Sequence, residues 1–161
     1  MPKKLVTCAS VTVALLLTTI TLLHAGNTMP VPTAKDKCPV CGMFVKGYPN
    51  WLAAIRLKNG SAIYFDGPKD LFNYYLNPGK YAPATKQSEF SEILVKDYYA
   101  VKPIDARQAY FVAGSDVLGP MGKELIPLAK KEDAIEFRAD HKGNKVYRFQ
   151  EVTPAVLKTL E

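Results

Sequence analysis

Apolar and polar positions alternate most clearly in "WLAAIRLKNGSAIYF". Trp51, Ala53, Ile55 and Leu57 fall on one face, Asn59-Gly60 supplies a two-residue turn, and Ala62 to Phe65 return, which predicts a β-hairpin. The period then changes. In "DGPKDLFNYYLNPGK" the residues Leu71, Phe72 and Tyr75 make a helical stripe, Asp66 or Gly67 caps it, Pro68 suits its first turn, and Asn77-Pro78-Gly79 stops it. "SEILVKDYYAV" reads as a strand, so the first half is ββαβ.

The second half repeats this plan. "QAYFVAGSDV" is a strand, and "GPMGKELIPL" is a Gly/Pro-punctuated turn leading into a short strand or extended segment. "KKEDAIEFRADHKG" is a helix with Ala134, Ile135 and Phe137 inward and Gly143 as its stop. "NKVYRFQ" is a strand, and "TPAVLKTL" a final helix capped by Thr153. The pattern predicts an α+β fold built as a tandem of two ββαβ units, about 38–103 and 104–161, within one domain over 38–161.

Ahead of the domain, Lys3 and Lys4 precede "LVTCASVTVALLLTTITLLHA", which carries no charge. Residues 1–25 read as an export signal or a retained membrane anchor, because an apolar run of about 20 residues is long enough to span a bilayer. Cys8 precedes the apolar run instead of following it, so it is not a lipidation site. Residues 26–37, "GNTMPVPTAKDK", read as a linker in which Met29 is mobile. The chain then begins its folded part in the periplasm or an equivalent exported space.

Charge changes this picture little. Lys and Arg number 21 against 15 Asp and Glu, and the excess is spread along the chain. A nucleic-acid surface would cluster it. No G-x-S-x-G, phosphate loop or dinucleotide fingerprint occurs. Beyond residue 25 the sequence holds one histidine, His141, at a helix end, where it serves as a capping cation more readily than as a ligand. Enzyme machinery is therefore not expected.

The chemistry concentrates in "CPVCGM", where Cys38, Cys41 and Met43 lie within six residues. A disulfide across so small a loop would stabilise the fold little. A redox pair normally opens a helix, and "FVKGYPNW" is not one. A closed zinc site needs four ligands, usually two such pairs, and no second cysteine pair exists. Thiolate and thioether together suit Cu(I), a soft ion, and Gly42 relieves steric bulk where the backbone bends. Met121, in "GPMG", sits on a turn where it either lids the core or completes a soft site with Cys41 and Met43. Cys38 reads as a second thiolate ligand, a redox guard or a passenger. Phe44 or Trp51 is a candidate shield for the ion. The alternatives to a copper site are a thiol–disulfide oxidoreductase and a soft-metal sensor module using the Cys38/Cys41 pair.

"CPVCGM", "YPNWLAAIRLKNGSAIYFDGPKDLFNYYL", "AYFVAGSDVLGPMG", "AIEF" and "KVYRF", in this order, resemble the nitrous-oxide-reductase accessory family NosL over about residues 36–155. The resemblance implies a periplasmic, membrane-attached Cu(I) metallochaperone. Its recipient would be nitrous oxide reductase, in the maturation of that enzyme's catalytic copper cluster for denitrification, and it would work with an ABC-transporter-type complex. It also implies a fold of two ββαβ units similar to the organomercurial lyase, and Cys41, Met43 and Met121 as copper ligands. Many relatives are lipoproteins with a cysteine at the mature start, unlike this chain, and some carry a His beyond C-G-M where this chain has Tyr48.

Overall fold

The computed structural model describes residues 28–161. The signal or anchor expected over 1–25 lies outside those residues, as do Cys8 and His24. Among the described residues no helix is long and apolar enough to cross a membrane.

The alternation at 51–65 forms two antiparallel strands, β1 (Ala53–Leu57) and β2 (Ala62–Phe65). Their turn is longer than expected. The Gly60 N–H donates to Leu57 O and the Leu57 N–H to Ser61 O, leaving Lys58, Asn59 and Gly60 as the loop. Of these only Gly60 has positive φ, +87°, whereas a two-residue type I′ turn needs it at both central positions.

Helix α1 (Pro68–Leu76) follows, with Gly67 as N-cap, Pro68 in its first turn and no side-chain cap. Asp66 is thus not the cap. Pro78 ends α1 but also starts a further short helix, α2 (Pro78–Tyr81). Strand β3 (Phe90–Lys96) pairs with β1, and an unanticipated β4 (Pro103–Asp105) pairs with β3, giving the order β2-β1-β3-β4.

The second unit comprises β5 (Tyr110–Gly119), β6 (Gly122–Leu128), α3 (Lys131–Asp140) and β7 (Lys145–Arg148), with sheet order β6-β5-β7. In each unit the first strand is central, the second and third flank it, and the helix links them. The tandem of two ββαβ units is present, and α4 (Pro154–Lys158) closes the chain with Thr153 Oγ1 accepting the Val156 N–H at 3.4 Å.

One core spans both units. Ile55, Phe65, Leu71, Phe72, Ile93 and Val95 of the first unit pack with Phe111, Ala113 and Leu125 of the second. The alternate residues Val112, Ile126 and Leu128 point to the other face of the second sheet and bury Ala134 and Phe137 of α3. The period-2 alternation of β5 and β6 therefore fills two layers. Ile135, expected inward, is 46% exposed, because it lies about 100° around the helix from Ala134. The α3 stop also differs. Lys142 takes the left-handed conformation (φ +54°) and the Gly143 N–H returns to Arg138 O. Gly143 is instead needed for space, since a Cβ there would lie 2.6 Å from Val112 Cγ1.

The expected linker is partly fixed to the body. Thr28 O accepts from Arg56, Val31 O accepts from Tyr64, and Met29 packs against the core. Lys37 bridges Phe44 as an isolated antiparallel pair.

Candidate metal centre

That bridge closes the loop carrying Cys38, Cys41 and Met43. The Cys38 N–H donates to Met43 O and the Gly42 N–H to Cys38 O, both at 2.9 Å. Gly42 has φ +81° and a Cβ there would meet nothing within 4 Å. Glycine is required for backbone conformation and not, as expected from the sequence, to relieve bulk. The tight turn aims backbone N–H groups at sulfur: those of Val40 and Cys41 at Cys38 Sγ, and that of Met43 at Cys41 Sγ.

The other side of the site comes from the start of α1. Asp66 and Asp70, four residues apart, face the cysteine loop. Cys38 Sγ donates to Asp70 Oδ2 at 3.3 Å, and Cys41 Sγ to Asp66 Oδ1 at 3.3 Å. One donor atom from each of the four residues lies within 4.8 Å of all the others, a grouping that can hold a metal ion. Cys38 and Asp66 are 1% exposed and Asp70 is 6% exposed, while Cys41 is half-buried and gives the site its opening. Asp66 Oδ2 is buried without a hydrogen-bond partner.

Burial keeps both thiols protonated. It pushes Cys41 up to about 12, with the neighbouring Asp70 and Asp66 adding to the effect. It pushes Cys38 further, again with Asp70 contributing. Each thiol thus retains its proton and shares it with a carboxylate. Both cysteines are free, not disulfide-bonded.

The start of α1 is itself held from the second unit. Glu124 of β6 is fully buried and its Oε1 accepts the N–H groups of Lys69 (2.5 Å) and Leu125 (2.8 Å). An acid at a helix N-terminus meets the unpaired N–H groups there. The fit requires Gly67, where a Cβ would lie 2.2 Å from Glu124 Oε2. Burial raises Glu124 to about 8, against the lowering effect of its two N–H donors.

Of the residues singled out from sequence, the structure brings Cys38 and Cys41 together and keeps Met43 half-buried in the same loop. Met121 occupies the β5–β6 turn, 47% exposed, and its carbonyl accepts Lys69 Nζ at 3.1 Å, so the turn lies against the start of α1. His141 sits apart, at the end of α3, where its Nδ1 is 3.2 Å from Asp116 Oδ1 and its ring stacks on Phe137 at 4.3 Å. Asp116 lies within β5. Trp51 faces Tyr98 at 6.3 Å in the second core layer, and Phe44 is 53% exposed beneath Lys37 Nζ. The residues missed from sequence are Asp66 and Asp70. Their signal was an acid pair four apart where a helix begins, of which Asp66 was read as one of two candidate caps and Asp70 was given no role.

Residues 30–157 match the NosL family profile, and the chain belongs to that family. The copper-binding lipoprotein NosL of Stutzerimonas stutzeri is 29% identical over 128 residues, which cover 76% of this chain and 65% of that protein. The chain therefore spans about two-thirds of the length of that curated relative. The crystal structure of the copper chaperone NosL from Shewanella denitrificans matches with a TM-score of 0.67 at 28% identity, covering 80% of this chain and 98% of that one.

Proposed function

We propose that this chain binds Cu(I) through Cys38 and Cys41, with Met43 and Met121 as further sulfur donors, and passes it to a copper-dependent acceptor. The observation that carries this reading is the pair of free thiols gathered in one loop, one buried and one half-open. Related proteins named as copper-binding and as a copper chaperone support it.

The chemistry follows from the donors. Soft thiolates favour Cu(I) over hard cations. The backbone N–H groups aimed at both sulfurs stabilise them once their protons leave. Asp66 and Asp70 already accept those protons as hydrogen bonds, so they stand where the protons depart. The half-open Cys41 side lets an incoming donor displace ligands one at a time, whereas a sealed tetrahedral cage would retain the ion. The exported, membrane-associated placement, nitrous oxide reductase as recipient and an ABC-transporter-type maturation complex belong to the same proposal and rest on the family resemblance.

The test is anaerobic titration of the reduced full chain with Cu(I) against a chromophoric chelator. The wild type should withhold one tight equivalent, and Cys41→Ser should lose it while its circular dichroism is unchanged. Tight binding retained by Cys41→Ser and by Met43→Ala would contradict the reading. The thiol–disulfide alternative predicts reductase activity toward a disulfide substrate.

A further inference from the structure

The copper reading leaves two buried carboxylates without a metal-binding task. A soft monovalent ion is satisfied by thiolate and thioether, and burying acids beside thiols costs free energy unless they are partnered. Asp66 and Asp70 are nonetheless almost inaccessible, each has an oxygen 3.3 Å from a sulfur, and Asp66 Oδ2 has no partner. We propose that Cys38, Cys41, Asp66 and Asp70 form a four-donor cage of two sulfurs and two oxygens for a borderline divalent cation, Zn2+ above all.

The second ligand pair that the sequence lacks as cysteine is supplied by the start of α1. Zinc bound at about 2.3 Å from sulfur and about 2.0–2.2 Å from oxygen places tetrahedral donors about 3.3–3.8 Å apart. The two S···O distances already have that length, and no donor pair exceeds 4.8 Å, so a small contraction completes the cage. Two thiolates and two carboxylates around Zn2+ carry the same net charge as a four-cysteine zinc site. As the ion enters, both S–H protons leave. The carboxylate oxygens that accepted them are thereby released toward the metal, and the N–H groups aimed at sulfur remain to orient the thiolates.

This site shares its thiols with the copper reading but concerns a different ion and the two carboxylates, so either can fail alone. The test is titration of the reduced full chain with Co2+, an optical substitute for Zn2+. The wild type should bind one equivalent with tetrahedral d–d bands and thiolate-to-cobalt charge transfer, and Zn2+ should displace it. The Asp66→Asn/Asp70→Asn variant should lose at least about tenfold in Co2+ affinity. Zinc-edge X-ray absorption of the loaded wild type should show a mixed sulfur and oxygen shell, a result independent of how the variant folds. Absence of charge transfer, unchanged Co2+ affinity in the variant, or a zinc shell without sulfur would each overturn the proposal. Loss of Co2+ binding alone leaves the copper reading standing, and failure of the wild type to bind Cu(I) removes that reading instead.

Discussion

The two ββαβ units share strand order and helix position, yet among the described residues only the first gathers side chains that could hold a metal ion. At the start of α1 stand Asp66 and Asp70, facing two thiols from the preceding loop. At the start of α3 stand Lys130 as N-cap and Glu132 and Asp133 in the first turn, with no sulfur beside them among the described residues. Topology therefore offers two equivalent places, and the short loop ahead of β1 selects one. The units also hold each other. Glu124 of the second accepts the Lys69 N–H at α1, and Asp97 of the first, 4% exposed, accepts the Ala129 N–H just before α3 at 2.7 Å. Each lends a buried acid to the start of the other's helix, which fixes the site-bearing helix to the hairpin that carries Met121.

The largest expected effect concerns the thiols, which have no counterpart in the second unit. Cys41 titrates near 12 and Cys38 higher, so both protons are present at working pH and must leave when the metal binds. Apparent Cu(I) affinity should rise about tenfold per pH unit for each proton displaced, without a plateau between pH 6 and 8. Chelator competition across that range checks it, and a flat profile would remove the thiols as ligands.

The next effect tests the lent acid. Glu124 titrates near 8 in the fold, above its ordinary value of 4.5. The native state then keeps a proton that the unfolded chain releases, and stability should fall as pH rises through that window, by an amount of the order of a few kcal/mol. Glu124→Gln retains an Oε1 to accept both N–H groups and should lack this slope. Urea unfolding from pH 5 to 8 distinguishes them, and identical slopes would contradict the assignment.

A smaller effect compares the N-termini of α1 and α3 directly. Gly67→Ala drives a Cβ into Glu124 and should cost about 1–3 kcal/mol. Lys130→Ala, at the exposed N-cap of α3, should stay within about 0.5 kcal/mol. Equal losses in thermal unfolding would mean that the two helix N-termini are not held differently.

Much of the fold was legible because its signals are local. The hairpin at 51–65, Pro68 opening a helix and Thr153 capping the last one are all short-range instructions. The repeat of the plan in the second half exposed the tandem. What escaped was set by distant contacts. Asp66 and Asp70 become site residues only through cysteines 25 and 32 positions away, and nothing nearby distinguishes them from ordinary acids at a helix start. Residues 28–32 read as linker because their partners, Arg56 and Tyr64, lie on a sheet formed later in the chain. Ile135 was misassigned because a single step along a helix turns an apolar residue from core to surface.

The copper reading stands or falls on whether the cysteine loop of the first unit holds the ion. Copper-edge X-ray absorption of the Cu(I)-loaded full chain decides it. A sulfur-dominated first shell that is lost in Cys38→Ser/Cys41→Ser is the expected result. A shell of nitrogen and oxygen, or one unchanged in that variant, would place the copper elsewhere and remove the reading.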